Sequence, residues 1–121
     1  MEQQPTVLLV EDDPLVLDAA VETLEDGGCT VWSASSYADA LDALKDCPQG
    51  SVLVTDIVLD GPESGLELVE EAHSRRPDLG IIILSGEVRP DSGTLPGKSL
   101  FCTKPCAPGA LLDLVRTCRD W

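Results

Sequence analysis

Short apolar runs alternate with amphipathic stretches along the whole chain. Residues 6–10 (Thr-Val-Leu-Leu-Val), 51–57 (Ser-Val-Leu-Val-Thr-Asp-Ile), 80–84 (Gly-Ile-Ile-Ile-Leu) and 99–103 (Ser-Leu-Phe-Cys-Thr) are brief and nearly continuous. Such runs predict strands covered on both faces. Residues 29–34 (Cys-Thr-Val-Trp-Ser-Ala) alternate more and predict a strand near a sheet edge.

Between the runs, apolar residues fall at helical spacing. Asp13 can cap a helix over 14–26, with Pro14 at its first position and Gly27-Gly28 at its end. Val16, Ala20 and Leu24, with Leu15 and Ala19, form its expected inner face. Ser36 caps a second helix to about residue 47, with Tyr37, Ala40, Leu41 and Leu44 on one side. A third starts at Ser64 or Gly65, turns Leu68, Val69 and Ala72 inward, and stops before Pro77-Asp78. A last helix over 108–119 buries Leu111, Leu112, Val115 and Cys118. Residues 88–98 hold Pro90, Gly93, Pro96 and Gly97, which predicts a loop or a very short helix. Strands alternating with helices predict an α/β domain around a parallel sheet. The 121 residues suit one domain over 1–121, starting just before the first strand and stopping just after the last helix.

Charge narrows the possible partners. The formal charge of −14 disfavours binding to nucleic acid or adhesion to an anionic membrane. No run approaches the ~20 apolar residues of a bilayer-spanning helix, and the N-terminus lacks the features of a signal peptide. A cytoplasmic protein is expected. Cys29, Cys47, Cys102, Cys106 and Cys118 make an odd count without zinc-type spacing. Reduced thiols are therefore expected, several buried as small hydrophobes, with a redox role for Cys102 and Cys106 as the minor alternative.

The chemistry lies at the strand ends. The first run ends in Glu11-Asp12-Asp13, the third in Asp56, the fourth in Ser85 and the fifth in Lys104. In a parallel sheet these ends share one edge, where open α/β sheets place their sites. Grouped carboxylates want a hard cation such as Mg²⁺. Lys104 offers a point charge for phosphoryl oxygen, and Ser85 and the backbone N–H groups of Ile57 and Gly86 offer donors. Asp56, between metal and lysine, is placed as a nucleophile toward phosphorus. Taken singly each feature is ordinary: a helix cap, a strand-end hydroxyl, a surface lysine. Their coincidence at four strand ends carries the reading.

Val10-Glu11-Asp12-Asp13, Thr55-Asp56, Leu84-Ser85-Gly86 and Lys104-Pro105 together resemble the response-regulator receiver domain of two-component signalling. The resemblance covers about residues 6–118. It implies a doubly wound, flavodoxin-like, five-stranded sheet of order 2-1-3-4-5, with the fourth helix missing or shortened here. It implies Asp56 as phosphoacceptor, with Mg²⁺ bound by Asp12 and Asp56, by Glu11 through water, and by the backbone carbonyl of Val58. Ser85 and Lys104 would contact the phosphoryl group. Phe101 matches the family's switch aromatic, although core packing explains it equally well. Val58 and Glu87 occupy the positions that tune hydrolysis, and Cys106 stands where the family often has an aromatic.

The expected function is a phosphorylation-activated signalling switch. A histidine kinase or histidine phosphotransfer protein would donate to Asp56. The output would be contact with a downstream protein, or the chain would serve as a phosphate sink. Self-phosphorylation and slow autodephosphorylation would be its only chemistry. Two other readings are a Mg²⁺-dependent phosphohydrolase that turns over an aspartyl phosphate, and a receiver-like binding module independent of phosphorylation. Against the hydrolase, position 58 is Val rather than a second Asp.

Overall fold

The structure is a computed structural model, and it describes residues 5–57, 64–85, 99–103 and 107–119. The elements are β1 (Thr6–Val10), α1 (Pro14–Asp26), β2 (Thr30–Ala34), α2 (Tyr37–Asp46), β3 (Val52–Asp56), α3 (Gly65–Arg75), β4 (Gly80–Ser85), β5 (Ser99–Thr103) and α4 (Pro108–Arg119). The five strands form one sheet of order β2-β1-β3-β4-β5, and every neighbouring pair is parallel. The alternating run at 30–34 is an edge strand, as its pattern predicts. Residues 88–98, where a loop or a very short helix is expected, lie outside the described residues.

The sheet is covered on both faces, which explains the continuous apolar runs. One face, with Leu8, Val10, Leu53, Ile81 and Ile83, packs under α2 and α3 through Ala40, Leu44, Leu68, Val69 and Ala72. The other, with Val7, Leu9, Val54, Ile82 and Leu84, packs under α1 and α4 through Leu24, Leu111, Val115 and Cys118. Side-chain oxygens start the helices. Asp13 accepts from the Leu15 N–H at 3.0 Å, Ser36 from the Asp39 N–H at 3.1 Å, and Ser64 from the Glu67 N–H at 3.2 Å.

Two expectations need correction. The inner face of α1 is Leu17, Ala20, Val21 and Leu24. Leu15 is 80% exposed and Val16 48%, and Ala19 is exposed too. The first turn of α1 stands at the carboxyl edge of the sheet, so residues there have little beneath them. The expectation of reduced thiols holds at Cys29, Cys47 and Cys118, which are free and buried, but fails at Cys102, which is disulfide-bonded.

Candidate acidic site at the carboxyl edge of the sheet

β1 and β3 are adjacent and parallel, with Val10 paired to Thr55. One residue further along each strand come Glu11 and Asp56, side by side at the sheet edge. Asp12 follows in the turn into α1. Glu11, Asp12 and Asp56 each present a carboxylate oxygen, and these atoms lie within 4.8 Å of one another. Glu11 and Asp56 are only 5% and 3% exposed, whereas Asp12 is half-buried.

The backbone holds this cluster in place. The Glu11 N–H donates to the Ala34 carbonyl at 3.1 Å, and the Asp13 N–H donates to Glu11 Oε1 at 3.1 Å. Beneath Asp56 the Thr55 hydroxyl donates to the Asp56 carbonyl oxygen at 3.0 Å. Burial, followed by a side-chain hydrogen bond with Asp56, pushes Glu11 up to about 8. The Asp13 N–H pulls the other way, and repulsion from Asp56 and a hydrogen bond with Asp12 add to the rise. Three carboxylates this close favour either a shared proton or a cation. An all-oxygen donor set with one half-exposed member suits a hard divalent ion that keeps some of its waters.

Gly65 belongs to the site, and its role is not evident from motif reasoning. Its N–H donates to the Ile57 carbonyl at 2.6 Å. A Cβ there would overlap the Asp56 carbonyl oxygen and stand 2.9 Å from Ile57 Cα. One sequence signal was available. Glycine inside the first turn of a helix costs about 1 kcal/mol against alanine, so a close backbone approach is a ready reason for it.

The other expected residues stand as follows. The Ile57 N–H, expected as a phosphate donor, instead donates to the Leu84 carbonyl at 3.1 Å, so the β3–β4 pairing uses it. Ser85 is the last residue of β4, one step past the Asp56–Leu84 pair, and its hydroxyl lies outside the described residues. Phe101 pairs with Ile83 and packs, partly buried, on the α2–α3 face. Val58, Gly86, Glu87 and Lys104 lie outside the described residues.

Comparison with known proteins bears on the same edge. The family model of the response regulator receiver domain matches residues 7–116. The C4-dicarboxylate transport transcriptional regulatory protein DctD of Pseudomonas aeruginosa is 35% identical over 93% of this chain. The sensor kinase CckA of Brucella abortus is 32% identical over 95%. The chain spans only 25% and 12% of the lengths of these two relatives. Among solved structures, a response regulator receiver protein from Sinorhizobium medicae superposes with a TM-score of 0.86 at 27% identity, covering 98% of this chain and 96% of its own. A CheY-like receiver domain protein from Methanospirillum hungatei gives 0.84 at 25% identity, covering 98% and 95%.

Proposed function

We propose that Asp56 is the phosphoryl acceptor of this chain, which belongs to the response regulator receiver domain family and is a phosphorylation-activated signalling switch. The observation that carries the assignment is the meeting of buried Asp56 with Glu11 and Asp12 at the ends of adjacent strands. In the proposed step an Asp56 carboxylate oxygen bonds to phosphorus. The donor's bond to phosphorus breaks, and its electron pair stays with the donor.

The acidic cluster suits Mg²⁺, with Asp12 and Asp56 as direct ligands, Glu11 acting through water, and the Val58 carbonyl completing the protein's share. Bound there, the ion would offset the negative charge on the transferring oxygens. Lys104, the Ser85 hydroxyl and the Gly86 N–H are the proposed contacts to those oxygens. The Ile57 N–H is omitted, because Leu84 already takes it.

The proposed donor is a histidine kinase or a histidine phosphotransfer protein. The exposed Leu15 and Val16, in the first turn of α1 shortly after Asp12 in the chain, supply an apolar lip on which such a protein could rest. After phosphorylation, movement of Ser85 toward the phosphoryl group would draw Phe101 with it and alter the outer face of β5 and α4. The signal then passes to a downstream protein by contact, or the chain acts as a phosphate sink. Among the described residues no helix is long and apolar enough to cross a membrane, and the −14 charge argues against nucleic acid as the target. A cytoplasmic location is part of the proposal, in keeping with the receiver family to which the chain belongs.

Acetyl phosphate and Mg²⁺ test the reading, with intact mass and Trp32 fluorescence followed together. A stable gain of one phosphoryl group that Asp56→Ala abolishes is expected. Turnover without accumulation would instead favour the phosphohydrolase, and no reaction would favour a module independent of phosphorylation.

A further inference from the structure

Thr55 places a hydroxyl where packing does not call for one. Among the described residues four polar side chains are buried, those of Glu11, Ser51, Thr55 and Asp56. Glu11 and Asp56 belong to the acidic cluster. The Ser51 hydroxyl closes a turn by donating to the Pro48 carbonyl at 2.6 Å. Thr55 follows Val52, Leu53 and Val54 inside β3 and is fully buried. Valine has nearly the same shape and suits a buried strand at least as well. The hydroxyl therefore needs a reason of its own.

Its partner supplies one. The Thr55 hydroxyl donates to the Asp56 carbonyl oxygen at 3.0 Å. The β1–β3 register ends at Val10 and Thr55, whereas the β3–β4 register continues through Asp56 and Leu84. Asp56 is thus one residue past the register on its β1 side. The Ile57 N–H points to β4, where it donates to the Leu84 carbonyl at 3.1 Å. In a trans peptide the carbonyl points the opposite way, so the Asp56 carbonyl faces the β1 side. Gly65 stands against that same oxygen, and its N–H donates to the Ile57 carbonyl at 2.6 Å. The Asp56–Ile57 peptide is therefore held by β4 at its N–H, by Thr55 at its carbonyl and by the start of α3 alongside.

We propose that Thr55 is a positioning residue for phosphoryl transfer, its hydroxyl fixing the Asp56–Ile57 peptide and with it the direction of the Asp56 carboxylate. The inference rests on Asp56 as the phosphoryl acceptor. In transfer from acetyl phosphate, an Asp56 carboxylate oxygen bonds to phosphorus. The phosphorus–oxygen bond to acetate breaks, and acetate leaves with the electron pair. The attacking oxygen must stand about 3–3.5 Å from phosphorus and in line with the bond that breaks. The Asp56 side chain is short, so a tilt of its backbone carries the carboxylate off that line. Without the hydroxyl, the peptide keeps its bond to Leu84 but gains freedom to tilt about it.

The test compares the wild type with Thr55→Val, Thr55→Ser and Thr55→Ala in the full chain. Valine and alanine lack the hydroxyl, whereas serine keeps it and loses the methyl group. With acetyl phosphate and Mg²⁺, Thr55→Val and Thr55→Ala should gain the phosphoryl group about tenfold more slowly by intact mass. Thr55→Ser should react at close to the wild-type rate. Urea midpoints should follow the lost volume instead, with Thr55→Ser and Thr55→Ala below the wild type. Native-state amide exchange reads the peptide itself. In Thr55→Val the Ile57 amide should exchange about fivefold faster, the worth of one hydrogen bond, while the Val54 amide keeps its rate. The serine–alanine pair repeats the hydroxyl comparison without the methyl group, so the test stands even where Thr55→Val folds poorly. Wild-type rates in both variants that lack the hydroxyl would overturn the proposal, as would a Thr55→Ser as slow as Thr55→Ala. Equal acceleration of exchange at Ile57 and Val54 would also overturn it, because that marks a general packing defect. If the wild type gains no phosphoryl group, the acceptor reading fails and the role in transfer falls with it, while exchange at Ile57 still reports whether the hydroxyl fixes the peptide.

Discussion

Gly65 lies against the backbone of Asp56 so closely that a methyl group at position 65 would overlap the Asp56 carbonyl oxygen. The Gly65 N–H is also bonded to the Ile57 carbonyl, so α3 begins directly on the end of β3. Neither neighbour is a flexible side chain that could swing away. Gly65→Ala must therefore push α3 off the strand or displace Asp56. We expect a loss of about 2 kcal/mol or more in urea denaturation, at the upper part of the range for overpacking. The phosphorylation rate should fall as well, because the backbone of Asp56, the proposed acceptor, moves. Unchanged stability would show that the helix start can shift freely.

Even with Glu11 carrying a proton near neutrality, the Asp12 and Asp56 carboxylates crowd each other when no cation is present, since the oxygens of the three groups lie within 4.8 Å. Asp12 is half-buried, so water screens part of its share. Asp12→Asn should stabilise the protein in chelator by on the order of 1 kcal/mol. Added Mg²⁺ should raise the melting temperature of the wild type by mass action and have little effect on the variant. Thermal melts with and without Mg²⁺ check both halves. A variant that is less stable in chelator, or that keeps the full Mg²⁺ response, would remove Asp12 from the ligand set.

Much of this geometry is legible in the sequence, for physical reasons. Burial on both faces makes β3 and β4 continuous apolar runs, and a carboxylate closing such a run is conspicuous. Caps at Asp13, Ser36 and Ser64 mark three helix starts because orphan N–H groups there need an oxygen. The face of α1 is less legible. Leu15, Val16, Ala19, Ala20 and Leu24 fit a helical stripe about as well as Leu17, Ala20, Val21 and Leu24. Only the sheet's extent shows that the first turn has little under it. The engagement of the Ile57 N–H with the Leu84 carbonyl is hidden for a related reason, since the end of the β3–β4 pairing cannot be read from β3 alone. The disulfide at Cys102 has the weakest sequence signal, because an odd count of cysteines names no pair.

Arg76 ties α3 to the end of α2. Its guanidinium donates to the carbonyls of Leu44 at 3.0 Å, Cys47 at 2.9 Å and Pro48 at 3.1 Å. It also grips both carboxylate oxygens of Asp78, at 3.2 and 3.1 Å. These carbonyls belong to the C-terminal end of α2, where helical partners run out. Arg76→Ala should cost about 2 kcal/mol by leaving partly buried acceptors unsatisfied. Arg76→Lys should recover only part of that, since an ammonium cannot span the same fork of oxygens. Urea titrations of the three proteins decide between this role and an ordinary surface charge.

The same contact predicts a pH dependence. The Arg76 guanidinium, aided by the Gly50 N–H, holds the Asp78 carboxyl below the usual carboxylate range despite some desolvation. A group whose pKa is lowered on folding contributes stability above its unfolded value, here 3.8, and loses it as pH falls through the folded value. The stability gap between wild type and Asp78→Asn should be constant near neutrality and close only in acid, below 3.8. A gap that closes on raising the pH would have the wrong sign for this pair.

On the proposed reading, Val58 sets how long a phosphorylated state lasts. It stands two residues past Asp56, and valine has no polar side-chain atom with which to orient a water. Spontaneous loss of the phosphoryl group requires in-line attack by water on phosphorus, and positioning that water is worth one to several factors of ten. Val58→Asn supplies a carboxamide able to hold it. After removal of acetyl phosphate, the variant should lose its phosphoryl group about tenfold faster than wild type by intact mass, the lower end of that range. Glu87, two residues past Ser85, should remain unchanged in the first comparison so that the effect belongs to position 58 alone. Equal decay rates would mean that Val58 does not set the lifetime. Slower decay would mean that the apolar side chain leaves room for water that the longer amide excludes.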